Sequence, residues 1–138
     1  MTREEENKAV LRRWYDEMWA HCNFDLVPQF AGPTYTRHDF GGTRTVTAEE
    51  YRDSLRATVK NWKISDFHYF LMAEGDYVTA IGTWLVNGAM RWDWVQTFRI
   101  ANRKIDAYHS RHRGVLALSL ASCIIQVAST GTNVVEST

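Results

Sequence analysis

The second half of the sequence contains four strand-like segments in succession, and this run constrains the fold more than any other feature. The segments are KISDFHYFLMAEG (63–75), DYVTAIGTWLV (76–86), MRWDWVQTFRI (90–100) and KIDAYHSRHR (104–113). The breaks between them, EGD, NGA and ANRK, are short enough for tight turns between antiparallel strands. The sequence therefore predicts a sheet built from consecutive antiparallel strands.

One of these segments, RWDWVQTFRI, alternates between two unlike faces. One parity carries Trp92, Trp94, Gln96 and Phe98, whereas the other carries Arg91, Asp93, Val95, Thr97 and Arg99. Such a period of two is typical of a strand with one buried face. A buried amide needs hydrogen-bond partners, so an amide among aromatic rings favours the wall of a ligand cavity over an aliphatic core. We expect this face to line a pocket.

The first half of the chain predicts three helices. Thr2 lies three residues before Glu5 in a capping-box pattern, and an apolar stripe at helical spacing continues to about Ala20. Thr47 stands in the same relation to Glu50 and opens a helix across AEEYRDSLRATVKNW. Between them, NFDLVPQF predicts a short helix, YTRHDF a short strand and GGTRTVT a turn or loop. Helices followed by antiparallel strands indicate an α+β fold, and a curved sheet over three helices would leave a conical cavity.

Composition excludes several classes of protein. The chain has 138 residues, 45% of them hydrophobic, and a formal net charge of zero, which suits one folded domain and argues against a nucleic-acid partner. Cys22 and Cys123 lie far apart, with no CxxC motif, so neither a disulfide framework nor a zinc knuckle is expected. The charged start MTREEENKAV is unlike a signal peptide, and the longest apolar run, of about 14 residues, is too short to span a membrane. We expect a cytoplasmic protein without a membrane partner.

Five segments give the chain a resemblance to a known family. They are VLRRWYDEMW, NFDLVPQFAGPTYTRHDFGG, TAEEYRDSLRATVKNW, AEGDYV and TFRIANRKI. Together they resemble the SnoaL-like polyketide cyclases of the nuclear transport factor 2-like superfamily. The resemblance implies a single domain across 1–138, with its core at about 6–120 and a C-terminal extension at 121–138. It further implies an α+β cone of three helices on a curved antiparallel sheet enclosing a pocket. Such proteins are commonly homodimers and often cofactor-free enzymes acting on hydrophobic metabolites.

Three catalytic arrangements do not carry over to this sequence. In the cyclases an Asp on the last strand acts as acid and base, and the matching position here is Ser110. Epoxide hydrolases of the limonene type need Asp, Arg and Asp around a water, but the strand that would supply the first two has Gly82 and Trp84. A dehydratase would need a His–Asp pair, and the adjacent His38 and Asp39 diverge on a strand.

Three residues are the catalytic candidates. The resemblance places His38 at a polar pocket position, where an imidazole could move a proton near neutral pH; a loop histidine bonded to backbone is the alternative. Gln96 could hold a carbonyl or enolate oxygen, or be a core amide satisfied by a neighbour. Tyr108 shares the parity that faces the pocket in relatives, and its hydroxyl could donate to a developing oxyanion, or merely lie at the rim of the core.

Aromatic residues dominate the expected substrate-binding set. The chain has six tryptophans, more than a small cone needs for packing, although core filling is the alternative interpretation. The residues assigned to substrate binding are Trp14, Trp84, Trp94, Phe98 and Ser110. No metal site is expected, because His109 and His112 of HSRH would point to opposite faces of a strand.

The sequence thus favours a cofactor-free cyclase or isomerase of secondary metabolism, acting on a hydrophobic polyketide-like substrate in the cone pocket. One alternative is a pericyclic cyclase of the Diels–Alder type that works by shape, which the missing Asp favours. The other is a non-catalytic module for ligand binding or dimerisation. The cavity discriminates between them: an open pocket with polar groups supports an enzyme, whereas one filled by tryptophan side chains supports a scaffold.

Overall fold

The structure, a computed structural model, describes residues 1–39 and 42–110. Its helices are α1 (Arg3–Arg13), α2 (Val27–Phe30) and α3 (Ala48–Val59), and its strands are β1 (Ala31–Asp39), β2 (Gly42–Thr47), β3 (Ile64–Glu74), β4 (Tyr77–Val86), β5 (Met90–Ala101) and β6 (Lys104–Ser110). A π-helical turn (Trp14–Met18) and a 3₁₀ turn (Trp19–His21) continue α1, and another 3₁₀ turn (Phe24–Leu26) precedes α2. The expected division between core and C-terminal extension at 120 lies outside the described residues.

Both predicted helix starts are confirmed. The Thr2 hydroxyl accepts a hydrogen bond from the Glu5 backbone N–H at 3.2 Å. The Thr47 hydroxyl accepts from the Glu50 N–H at 3.0 Å, and the Glu50 carboxylate accepts from the Thr47 N–H at 2.9 Å. Each bond satisfies an amide that the first helical turn leaves without a partner. The first helix reaches its predicted end but changes to π-helical geometry at Trp14, which is buried.

The six strands form one sheet in the order β2-β1-β6-β5-β4-β3. The predicted antiparallel succession from β3 to β6 is confirmed, while β1 and β6 pair in parallel. The prediction of a turn or loop at GGTRTVT is wrong, because Gly42–Thr47 forms β2 and pairs with β1 from Asp39 to Thr34. Its β-branched residues suit a strand, and this preference outweighs the turn signal of the glycines.

The buried face of the sheet is the one that alternation predicted. In β5, Trp92, Trp94, Gln96, Phe98 and Ile100 are buried, whereas Asp93 and Val95 are exposed. A shift of one residue would have exchanged the faces, so the register is confirmed. The helices cover this concave face, and it carries most of the buried side chains. Within the described ranges, no helix is long and apolar enough to cross a membrane.

Candidate functional site

A hydrogen-bonded chain crosses the interior of the cone at Gln96. The Tyr15 hydroxyl donates to Gln96 Oε1 at 2.6 Å, and Gln96 Nε2 donates to the Tyr108 hydroxyl at 3.5 Å. The π-helical turn after α1 directs Tyr15 inward, and the pairing of Phe98 with Tyr108 brings β6 beside Gln96. Gln96 is only 5% exposed, so these partners satisfy an amide that burial would otherwise penalise.

In this series of hydrogen bonds, Tyr15 is a donor. Burial raises its pKa well above the ordinary value of a tyrosine, and the neighbouring Tyr51 and Tyr69 raise it further. The hydroxyl therefore stays protonated across the physiological pH range and donates its hydrogen bond to the Gln96 carbonyl oxygen. The NH₂ end of the same amide, which meets Tyr108 at the longer distance, is the end that can donate to a ligand oxygen.

A buried ion cluster lies on the neighbouring strands. Arg37 donates to Asp39 Oδ2 through Nε at 3.2 Å and through Nη2 at 3.1 Å, and Arg44 Nη1 donates to Asp39 Oδ1 at 2.7 Å. The side chains of Arg37 and Asp39 are 3% exposed and that of Arg44 is 20% exposed. Sequence reasoning missed this cluster, although β1 alternation places Arg37 and Asp39 on the same face as the fully buried Tyr35.

Arg37 joins the ion cluster to the hydrogen-bonded chain. Its guanidinium carbon lies 4.6 Å from the centre of the Tyr108 ring and 5.0 Å from that of Tyr51. Both distances are within the range of cation–π attraction, which desolvation strengthens. We call the connected set the polar array, and its members are Tyr15, Gln96, Tyr108, Arg37, Asp39 and Arg44.

The structure does not bring His38 to the polar array. His38 follows Arg37 in β1 and lies on the outer face of the sheet, because neighbouring residues of a strand point to opposite faces. There its Nδ1 is 3.0 Å from the Thr43 hydroxyl, and its ring stacks on His109 with centroids 4.4 Å apart. In this geometry His38 cannot exchange a proton with a ligand held by Gln96 and Tyr108.

The predicted substrate-binding residues do lie together in the interior. Trp14, Trp84, Trp94, Phe98 and Ser110 are all buried. Trp94 stacks on Tyr15 with centroids 5.1 Å apart and contacts Trp84 at 5.0 Å. Trp14 packs edge-on against Phe98 at 6.1 Å, which in turn contacts the Tyr108 ring at 5.3 Å. These rings form a continuous aromatic wall around the polar array.

A glycine in β4 determines how closely Trp94 approaches the sheet. A Cβ atom at Gly82 would lie 3.0 Å from Trp94 Cε2 and closer still to Cζ2 and Cη2. Such contacts are essentially never tolerated, so the indole ring can lie against β4 only because residue 82 has no side chain. Trp94 therefore fills the space that a larger residue would occupy.

Several indole N–H groups in this wall have no acceptor among the described residues. The tryptophans concerned are Trp14, Trp84, Trp92 and Trp94. A buried donor without a partner costs about 1–3 kcal/mol. Together with the guanidinium groups and the Gln96 amide, these indole N–H groups make the interior rich in hydrogen-bond donors. Within residues 1–39 and 42–110, no group of three His, Cys, Asp or Glu side chains could hold a metal ion, and His112 is not described.

Comparison with known proteins supports the fold. The sequence matches no protein-family model and none of the curated proteins. Among solved structures, a candidate polyketide cyclase from Acidithiobacillus ferrooxidans superposes with a TM-score of 0.65 at 16% identity, over 80% of this chain and 90% of that one. An NTF-2 like protein of unknown function from Burkholderia xenovorans superposes with a TM-score of 0.66 at 13% identity, over 86% of this chain and 91% of that one. An LEH-like epoxide hydrolase from Mycobacterium tuberculosis superposes with a TM-score of 0.61 at 13% identity, over 78% of this chain and 83% of that one. These likenesses show that the chain has the nuclear transport factor 2-like fold, as its resemblance to the SnoaL-like cyclases implied.

Proposed function

We propose that this chain is a cofactor-free cyclase or isomerase that binds a hydrophobic, polyketide-like molecule against the concave face of its sheet. The observation that carries the proposal is the polar array, in which Gln96 and Tyr108 stand on an otherwise aromatic wall. Ligand sites typically combine an apolar lining with a few convergent polar groups. Solved structures of the same fold include the candidate polyketide cyclase, which supports this choice of reaction class.

The array would act by holding an oxygen that gains negative charge. The Gln96 NH₂, the Tyr108 hydroxyl and the Arg37 guanidinium are donors on one face. Donors already in place stabilise an enolate or a polarised carbonyl without reorganisation. The aromatic wall would fold the substrate into a reactive conformer, which is a gain in orientation.

Proton transfer by a side chain contributes little to the proposed mechanism. His38 lies on the outer face, and the position that carries the catalytic Asp in related cyclases is Ser110. Both carboxylate oxygens of Asp39 already accept hydrogen bonds from Arg37 and Arg44. We therefore favour a ring closure that depends on the shape of the aromatic wall and on polarisation of the substrate, including the pericyclic variant.

A non-catalytic binding module is the second candidate, and one observation favours it. Trp84 and Trp94 pack against each other and against Phe67, and Trp94 also stacks on Tyr15. Gly82 lets the Trp94 ring lie close to the sheet. Tryptophans that fill the interior in this way suit a protein that holds a ligand or a partner without transforming it.

We further propose a homodimer formed through the outer face of the sheet. Phe70, Met72 and Val95 are exposed on that face. Register places Phe70 and Val95 on either side of Ile81, so the apolar patch crosses three strands. A second copy would cover side chains that water otherwise contacts.

The proposed function is tested with aryl-substituted poly-β-ketones in which one further ring is still open. Liquid chromatography and mass spectrometry measure their turnover. We expect ring closure faster than in protein-free buffer. Gln96→Leu should slow it by about 10²–10³-fold, the usual cost of losing an oxyanion donor, whereas His38→Ala should leave the rate unchanged. Tight binding without turnover would establish the binding module in place of the enzyme.

A further inference from the structure

We propose that Tyr15 is a positioning residue, which holds the carbonyl oxygen of Gln96 so that the amide presents its NH₂ end to the ligand and selects one with an acceptor oxygen, such as a ketone. The inference rests on the proposed binding of a hydrophobic molecule at the concave face and specifies how that site recognises it. It is carried by the distances around the amide, by the spare hydrogen of its NH₂ group and by the helical turn that holds Tyr15.

The distances around Gln96 fix which end of its amide faces Tyr15. The Tyr15 hydroxyl oxygen lies 2.6 Å from Gln96 Oε1, which suits an O–H···O bond and is short for a bond that an amide nitrogen donates, usually about 2.9–3.0 Å. If the amide were turned round, the fully buried Tyr15 hydroxyl would accept from it, and the hydroxyl's own proton would have no acceptor among the described residues. The carbonyl oxygen of Gln96 therefore faces Tyr15.

This orientation leaves a donor of Gln96 to spare. The NH₂ group has one acceptor within residues 1–39 and 42–110, the Tyr108 hydroxyl at 3.5 Å, which is longer than the usual N–H···O range of about 2.7–3.2 Å. Because an amide NH₂ carries two hydrogens, one of them has no acceptor in that part of the chain. A buried donor without a partner is destabilising. A ketone oxygen of a ligand would satisfy it, whereas a hydrocarbon would not.

The helical turn that holds Tyr15 is itself unusual. Trp14–Met18 adopts π-helical geometry, which is rare and is frequently found at functional sites. The Tyr15 ring stacks on Trp94 with centroids 5.1 Å apart and packs edge-on against Phe67 at 5.9 Å. Since backbone and ring are both held, the fixed hydroxyl sets the orientation of the amide.

The experiment compares two probes of nearly the same shape, 2-acetylnaphthalene and 2-isopropenylnaphthalene, in which a CH₂ group replaces the ketone oxygen. Equilibrium dialysis at pH 7.5 gives the affinity of each, and the ratio of ketone to alkene affinity is the quantity compared. Gln96→Leu should lower this ratio about 10-fold, because the donor is lost. Tyr15→Phe should lower it about 3-fold or more, because the amide is no longer held, and a smaller fall would overturn the inference. The alkene affinity of Tyr15→Phe should stay within about 3-fold of wild type.

A double variant separates positioning from a structural role. If Tyr15 acts only through Gln96, adding Tyr15→Phe to Gln96→Leu should leave the ratio within about 2-fold of that of Gln96→Leu alone. An effect of Tyr15→Phe as large without Gln96 as with it would mean that Tyr15 shapes the site independently, and the inference would be overturned.

A neighbouring tyrosine supplies the matched control. The Tyr69 ring lies 4.9 Å from that of Tyr15, but its hydroxyl donates to Asp16. Tyr69→Phe also removes one hydroxyl, so it should leave the ratio unchanged. A ratio lowered as much by Tyr69→Phe as by Tyr15→Phe would count against a specific role of Tyr15.

One measurement on the wild-type protein needs no substitution and decides the question even if Tyr15→Phe does not fold. In nuclear magnetic resonance spectra, the Gln96 NH₂ hydrogens should show stronger nuclear Overhauser effects to the ring of Tyr108 than to that of Tyr15. The reverse order would mean that the NH₂ end faces Tyr15, and it would overturn the inference.

The outcomes separate this inference from the proposed function. If the poly-β-ketones are not turned over but the ratio depends on Tyr15 and Gln96 as expected, the enzyme is refuted and the inference stands. If wild type and Gln96→Leu show the same ratio, the inference is refuted while binding at the concave face stands. If neither probe binds up to the limit of its solubility, both proposals fail.

Discussion

Removing the Tyr15 hydroxyl is the most informative perturbation of the polar array. Tyr15→Phe deletes a donor that lies 2.6 Å from Gln96 Oε1, and both residues are buried. The ring and its packing stay, so the change leaves one buried carbonyl oxygen without its donor. An unsatisfied buried polar group costs about 1–3 kcal/mol. We expect the free energy of unfolding to fall by that amount.

A partly buried tyrosine whose hydrogen bond is exposed provides the matched control. The Tyr69 hydroxyl donates to the Asp16 carboxylate at 2.7 Å in an exposed position. Tyr69→Phe should cost under about 1 kcal/mol, because water can replace the lost donor there. The assay is urea unfolding followed by tryptophan fluorescence, with the denaturant slope compared between variants to confirm that both unfold in the same way.

A double-mutant cycle then isolates the bond itself. Gln96→Leu removes the acceptor, and in Tyr15→Phe with Gln96→Leu neither partner remains to be unsatisfied. We expect the double variant to lose less stability than the two single losses combined, by about 1–2 kcal/mol. Additivity within about 0.5 kcal/mol would refute the claim that these two groups depend on each other.

Four further predictions test other parts of the structure. Gly82→Ala should lower stability by about 1–3 kcal/mol through overpacking, whereas Gly32→Ala, whose new Cβ would come no closer than 3.4 Å to a neighbour, should cost less in the same urea assay. Because the pKa of Tyr15 is raised in the folded state, its contribution to stability is complete below the unfolded pKa near 10 and is lost as pH rises through the folded value; Tyr15→Phe should therefore flatten the alkaline limb of a stability–pH profile. Val95→Lys should convert the expected dimer into a monomer in light scattering at micromolar concentration, and a wild-type monomer would refute the dimer. His38→Ala should keep full turnover and an unchanged pH–rate profile, and a loss of about 10²-fold or more would restore the general acid–base role.

Strand periodicity predicted the part of the site that depends on one element at a time. The parity of β5 placed Trp94 and Gln96 on the buried face, because a strand next to a core must alternate. The capping residues Thr2 and Thr47 were equally readable, since their hydrogen bonds are made within one helical turn. These features need no knowledge of distant contacts.

The remaining features depend on contacts between elements. Arg37 and Asp39 look like surface charges in the sequence, and the ion pairs that Asp39 forms with Arg37 and, across β1 and β2, with Arg44 help to compensate their burial. The same parity rule applied to β1 places His38 on the face opposite Arg37, whereas the resemblance to a family implies a pocket position, and the sheet follows the parity rule. Whether tryptophans line a cavity or fill it depends on ring distances that no sequence pattern contains.

The central claim is that a ligand binds at the polar array on the concave face. The direct measurement is a titration of ¹⁵N-labelled protein with 2-acetylnaphthalene, followed by nuclear magnetic resonance of the Gln96 side-chain NH₂ and the tryptophan indole N–H groups. We expect the Gln96 signals and those of Trp14 and Trp94 to shift together and to saturate at one ligand per chain. Shifts confined to the outer face, at Val95 and Thr97, with the Gln96 and indole signals unmoved, would contradict it.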